Sequence, residues 1–160
     1  LCCCSCPLRV LPHHQGNIPM RDITNNLTLK RALAPVVAGT DNTAYVSQIL
    51  DTRDYDAVML AIQIGTNTDV DVTFTVLLEE SNDSGMSGQN AVADADMNGT
   101  ELLAGFQFDD DNECRKLGYI GSKRYIRATI TPANNGAGNI YIAGLWVCKP
   151  LRAPAENPPA

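Results

Sequence analysis

The sequence predicts an all-β protein, a single β-sandwich or small β-barrel domain with extended N- and C-terminal arms. Three observations carry this. Apolar residues alternate with period two through successive short runs from Thr40 onward. Gly, Asn, Asp and Ser separate those runs, as turns between strands require. No segment after Thr40 carries an apolar helical stripe with caps.

The runs follow in order. "TAYVSQILDT" sets Tyr45, Ser47 and Ile49 against Ala44, Val46, Gln48 and Leu50. "DAVMLAIQIGT" places Val58, Leu60, Ile62 and Ile64 on one face and stops at the turn-forming Gly65-Thr66-Asn67-Thr68. "DVDVTFTVLLEESN" puts Val70, Val72, Phe74, Val76 and Leu78 on one face and Asp71, Thr73 and Thr75 on the other, the pattern of a half-buried strand. Residues 86–101, "MSGQNAVADADMNGTE", read as a long loop with room for one helical turn. "ELLAGFQFDDD" predicts a short strand from Leu103 to Phe108. "KRYIRATITP" sets Tyr125, Arg127, Thr129 and Thr131 against Ile126, Ala128 and Ile130, and "GNIYIAGLWVCKP" closes the domain.

This organisation divides the chain into a leader (1–19), an N-terminal arm (20–40), a sheet domain (41–149) and a proline-rich tail (150–160). "PLRAPAENPPA" has too few apolar residues and too many prolines to fold by itself. The 160 residues suit one domain, and its formal charge of −6 lacks the cationic footprint that direct nucleic-acid binding needs. The apolar runs are far too short to span a bilayer as helices, so no membrane partner is expected.

"LCCCSCPLRV" concentrates Cys2, Cys3, Cys4 and Cys6 at one end. Adjacent cysteines point their sulfurs apart, and His13 and His14 complete no finger spacing, so a zinc knuckle is not expected. The prolines and the lack of a sustained apolar stretch oppose a signal peptide, and no amphipathic context supports acylation. Met20 opens an ordinary protein start, and Gln15-Gly16 encodes a purine-rich stretch at the distance of a bacterial ribosome-binding sequence. Residues 1–19 are therefore expected to be translated upstream sequence, with an unstructured arm as the alternative. Cys114 and Cys148 are expected as two buried free thiols rather than one bridge.

Several strings carry charge in patterns that chemistry uses. Asp94, Asp96 and Asn98, followed by Gly99, match the opening of a calcium loop. The position that needs a bidentate glutamate is Gly105, however, so the string reads first as a solvated acidic loop. Asp109, Asp110, Asp111 and Glu113 read as a solvated turn, with a weak cation site as the sharper alternative. Lys123, Arg124 and Arg127 are candidate partner-contact residues, weighed against a charged strand edge that discourages aggregation. Beyond His14 there is no histidine, so no Ser-His or Cys-His pair arises, and no glycine loop cradles phosphate. No catalytic residue and no cofactor are expected. The sequons at Asn26, Asn82 and Asn98 are of the frequency expected in an Asn-rich chain.

"DNTAYVSQILDT", "VLLEESND" and "GYIGSKRYIRATITP", within about Asp41 to Lys149, resemble small virion proteins encoded near the major capsid gene of tailed bacteriophages. The resemblance implies a non-enzymatic structural role: capsid decoration, cement or minor head protein on the capsid exterior, assembled in the bacterial host cytoplasm. It implies the major capsid protein as partner and a homo-oligomer, a trimer at three-fold positions being favoured by analogy. The arms at Met20–Gly39 and Pro150–Ala160 are expected to make inter-subunit contacts. The alternatives are a carbohydrate- or receptor-binding β-sandwich that uses the 86–101 loop, and a head–tail connector or tail component.

Overall fold

The computed structural model describes residues 22–35, 41–136 and 140–152. In chain order the strands are β1 (Thr28–Leu33), β2 (Tyr45–Val46), β3 (Leu50–Asp51), β4 (Tyr55–Asn67), β5 (Thr73–Ser81), β6 (Asn90–Ala91) and β7 (Met97–Asn98). After one helical turn, α1 (Glu101–Ala104), come β8 (Phe106–Gln107), β9 (Cys114–Tyr119), β10 (Tyr125–Ala133) and β11 (Ile140–Pro150). The first sheet runs β1-β11-β4-β9-β7. In the second, β10 and β5 form the centre, with β2 and β3 beside β10 and β6 and β8 beside β5. All pairings are antiparallel.

Treating β2 with β3 as one interrupted row, and β6 with β8 as another, gives two sheets between which the chain crosses at every step except from β5 to the β6/β8 row, with β7 an added edge of the first sheet. The row order is that of a jelly roll, two Greek keys wrapped into a sandwich. The sequence left sandwich and barrel open; two packed sheets decide it.

Period two explains the core. Val58, Leu60, Ile62 and Ile64 of β4 are buried, as are Phe74, Val76 and Leu78 of β5 and Ile126, Ala128 and Ile130 of β10. Trp146, 1% exposed, sits among them from β11. Phe74 and Phe106 stack with ring centroids 4.5 Å apart, which fixes β8 against β5.

The run 45–51 departs from its expected single strand. Ser47 is buried and Ile49 exposed, so the alternation breaks between β2 and β3. At the break the Ser47 hydroxyl accepts the Ala128 N–H at 2.9 Å, replacing a ladder bond. Gln48 turns its peptide toward the other sheet: its N–H donates to the Ala32 carbonyl at 2.9 Å, and its carbonyl accepts the Trp146 indole N–H at 3.1 Å. One kink thus links the two layers.

Four expectations need correction. The 20–40 segment is not wholly an arm, because β1 lies within it and forms the edge of the first sheet; Thr28, Ala32 and Leu33 are buried there. Val70 lies before β5 and is exposed, since that strand begins at Thr73. The strand expected at 103–108 shrinks to Phe106–Gln107, because Thr100 caps a helical turn by accepting the Leu103 N–H at 3.1 Å. Cys114 is exposed, not buried; it and Cys148 are both free. They occupy opposite faces of the first sheet, which forbids a bridge between them. The leader 1–19 and residues 153–160 of the tail lie outside the described residues.

Trp146→Ala is expected to lower the unfolding free energy by about 3–5 kcal/mol through cavity formation. Ser47→Ala, which strands the Ala128 N–H, is expected to cost about 1–3 kcal/mol. Urea denaturation monitored by far-ultraviolet circular dichroism measures both. Alkylation of the native chain followed by peptide mapping should modify Cys114 and spare Cys148, whose thiol burial pushes up to about 12; modification of Cys148 should require unfolding.

Candidate functional site

The register of the first sheet brings its outward side chains into rows. Leu29, Val147, Met59 and Gly118 lie side by side across β1, β11, β4 and β9. Arg31, Leu145, Ala61 and Lys116 form the next row. Ala143, Gln63 and Cys114 follow, and Lys149 stands beside Ala57 at the far end. An outer sheet face normally carries polar residues at these alternate positions. Here small and aliphatic side chains fill the middle, with Leu29 48%, Leu145 43% and Tyr141 50% exposed.

Glycine keeps this face flat at two points. A Cβ at Gly65 would stand 2.9 Å from the Tyr141 Cβ, and one at Gly118 would stand 3.0 Å from the Asn98 Cβ. The charged groups of the rows, Arg31, Lys116 and Lys149, are all cationic, although the chain carries −6. Lys149 pairs with Asp56 at the margin. The surface is therefore apolar at its centre, with Arg31 and Lys116 at two edges and carboxylates, Asp56 and Glu113, next to its ends.

The outer face of the second sheet contrasts with it. Thr75 opposes Thr131, Thr129 opposes Leu77, and Arg127 opposes Glu79. Arg127 donates to Glu79 Oε2 from Nε at 3.0 Å and from Nη2 at 2.9 Å, and the Thr129 hydroxyl adds a bond at 3.1 Å. Arg124 grips Asp51 with Nε at 3.0 Å and Nη2 at 2.7 Å and lies over the Tyr125 ring. The predicted contact residues Lys123, Arg124 and Arg127 thus do not form one free basic patch, for the two arginines spend their charges on partners within the chain. The Lys123 backbone N–H donates to the Tyr119 hydroxyl at 2.8 Å, which itself donates to Glu80. Burial, then the Glu80 hydrogen bond, pushes the Tyr119 phenol upward.

The acidic strings are also placed. Asp94 and Asp96 lie on a short 3-10 turn and Asn98 in β7. Asp110 pairs with Arg115 at 2.9 Å, Glu113 bonds the same guanidinium, and Asp111 accepts the Asn67 N–H at 2.7 Å. Among the described residues no group of three or more His, Cys, Asp or Glu side chains gathers as a metal site. No helix among them is long and apolar enough to cross a membrane.

Sequence reasoning missed two features. The apolar outer face was hidden because β1 lay in the presumed arm and no strand was expected at 114–119, so Leu29 and Gly118 of its first row had no strand to sit on. The second is α1. Its Leu102 and Leu103 are 89% and 72% exposed beside a cavity of about 500 Å³, which Thr73, Val76, Leu102, Phe106 and Asp110 help to line. The capping pattern Thr100-Glu101 was the available signal.

Comparison with protein-family models, curated proteins and solved structures returns no match. The reading of function rests on the residues.

The Arg124–Asp51 pair makes a pH prediction. Hydrogen bonding by Arg124 holds the Asp51 carboxyl below its ordinary 3.8. Its contribution to stability is therefore present above that value and is lost as pH falls through the lowered folded-state value. Arg124→Met should be less stable than the parent near neutrality, and the difference should shrink on acidification, as thermal melts across pH would record.

Proposed function

We propose that the protein is a structural, non-enzymatic virion component that decorates and stabilises a bacteriophage capsid through protein–protein contacts. The observation that carries this reading is the flat outer face of the first sheet, with Leu29, Val147, Met59 and Leu145 at its centre and Arg31 and Lys116 at its border. Apolar surface of this kind on a sandwich serves protein partners, since water solvates it poorly. The resemblance to small phage head proteins supports the same reading, with the major capsid protein as the partner, a position on the capsid exterior and a trimeric assembly. Repetition across a shell multiplies modest contacts, so a small face per subunit is enough. The carbohydrate-binding alternative draws little from the larger aromatics, because Trp146 and Phe106 are buried.

Imaging of native particles tests the reading. Many copies spread over the shell are expected, and Leu145→Glu should reduce occupancy while the isolated protein keeps its circular dichroism spectrum. A ring of copies at a single vertex would transfer the protein to the connector, and absence from particles would remove the virion role.

A further inference from the structure

The sequence holds two Asn-Gly pairs, Asn98-Gly99 and Asn135-Gly136, and the fold treats them oppositely. Such a pair can react with itself, because glycine has no Cβ to shield its amide nitrogen from the carboxamide of the preceding side chain. Reaction needs a free nitrogen, a free carboxamide and room to rotate. At the second pair all three are denied. Asn135 is fully buried, its Nδ2 donates to the Asp41 carbonyl at 2.7 Å, and its N–H donates to Asn42 Oδ1 at 2.9 Å. The Gly136 N–H is committed to the Asn134 carbonyl at 3.0 Å.

At the first pair none is denied. Asn98 and Gly99 are both exposed. Among the described residues neither the Asn98 carboxamide nor the Gly99 N–H has a hydrogen-bond partner. β7 is two residues long, pairs only with β9 and forms the margin of the first sheet. So short an edge opens locally at little cost. Gly99 has φ +96°, so the chain leaves the strand conformation immediately after Asn98.

We propose that Asn98-Gly99 is a self-modification site, at which the chain deamidates without an enzyme and so releases its own edge strand. Hydroxide from solvent removes the Gly99 amide proton, and the nitrogen forms a bond to Asn98 Cγ. The Cγ–Nδ2 bond breaks and ammonia leaves, which closes a five-membered succinimide. Water then opens the ring at either of its two carbonyls. One route leaves aspartate; the other leaves isoaspartate, in which the main chain runs through the former side chain and is longer by one methylene.

β7 has no room for that methylene. A Cβ on Gly118 would stand 3.0 Å from the Asn98 Cβ, so the two strands already pass at close contact. The Ile120 N–H donates to the Asp96 carbonyl at 2.9 Å, so Gly118, two residues earlier in β9, turns its own N–H toward Asn98. A lengthened β7 slides out of this register, and the Gly118 amide opens to solvent. The chemistry is independent of what the outer face of the first sheet binds.

Incubation of the full chain in mildly alkaline buffer, then peptide mapping with enzymatic methylation of isoaspartate, tests the proposal. In the native chain isoaspartate should accumulate at Asn98, faster as pH rises, while Asn135 keeps its amide. In urea both positions should convert. Asn98→Gln, at an exposed position and with a side chain that closes its ring far more slowly, should abolish the signal from that peptide. Hydrogen exchange of the aged protein should show lost protection at Gly118 and none lost in β10. An Asn98 that stays amidated in the native chain overturns the proposal, as does an Asn135 that converts at the same rate folded and in urea. Isoaspartate at Asn98 with Gly118 still protected overturns the release of the strand.

Discussion

Trp146 must be buried, and its indole N–H must still find an acceptor. That requirement organises the sandwich. Its ring belongs to the first sheet, but the carbonyl that satisfies it comes from Gln48, in the segment that edges the second. A carbonyl inside a regular ladder would already be bonded to its neighbour, so the 45–51 segment must break there. The break leaves the Ala128 N–H without a ladder partner, and the Ser47 hydroxyl takes that place. Gln48 then has its N–H free for β1, which fastens the outermost strand of the first sheet. The indole N–H, the serine and the interrupted strand are thus one arrangement.

Fastening β1 has consequences on the other side of the sheet. Leu29 and Arg31 point outward because Thr28 and Ala32 point inward, and they complete rows begun by β11, β4 and β9. The same strand that closes the core therefore builds the apolar face. The opposite sheet shows what an ordinary solvated surface looks like here: threonines, an Arg127–Glu79 pair and an Arg124–Asp51 pair, each charge matched nearby. Arg31 and Lys116 have no such partner across their own rows, which leaves their field available to another molecule.

Legibility in the sequence followed chain locality. The alternation of β4, β5 and β10 was readable because each strand has one wet face and one dry face, so its pattern is self-contained. β11 was readable from its apolar run. The short strands were not: a two-residue strand such as β6 or β7 has no period, and only its neighbour makes it a strand. α1 escaped for a similar reason, since its apolar Leu102 and Leu103 face water and mimic a strand. Of the charged candidates, Arg124 and Arg127 were expected to contact a partner or to line a charged edge, and their ion-pair partners within the chain, Asp51 and Glu79, lie far away in the sequence.

The sequence by itself determined the all-β class, the long central strands and which of their faces enter the core, because period-two burial is a local property of each strand. It also determined the chain's acidity and the absence of histidine beyond residue 14. The tertiary structure decided the jelly-roll order, the membership of β1 and the meeting of Gln48 with Trp146. It also decided which cations and carboxylates pair, and which leucines stay in water. Those depend on contacts between residues distant in the chain, and a one-dimensional pattern carries no record of register between strands.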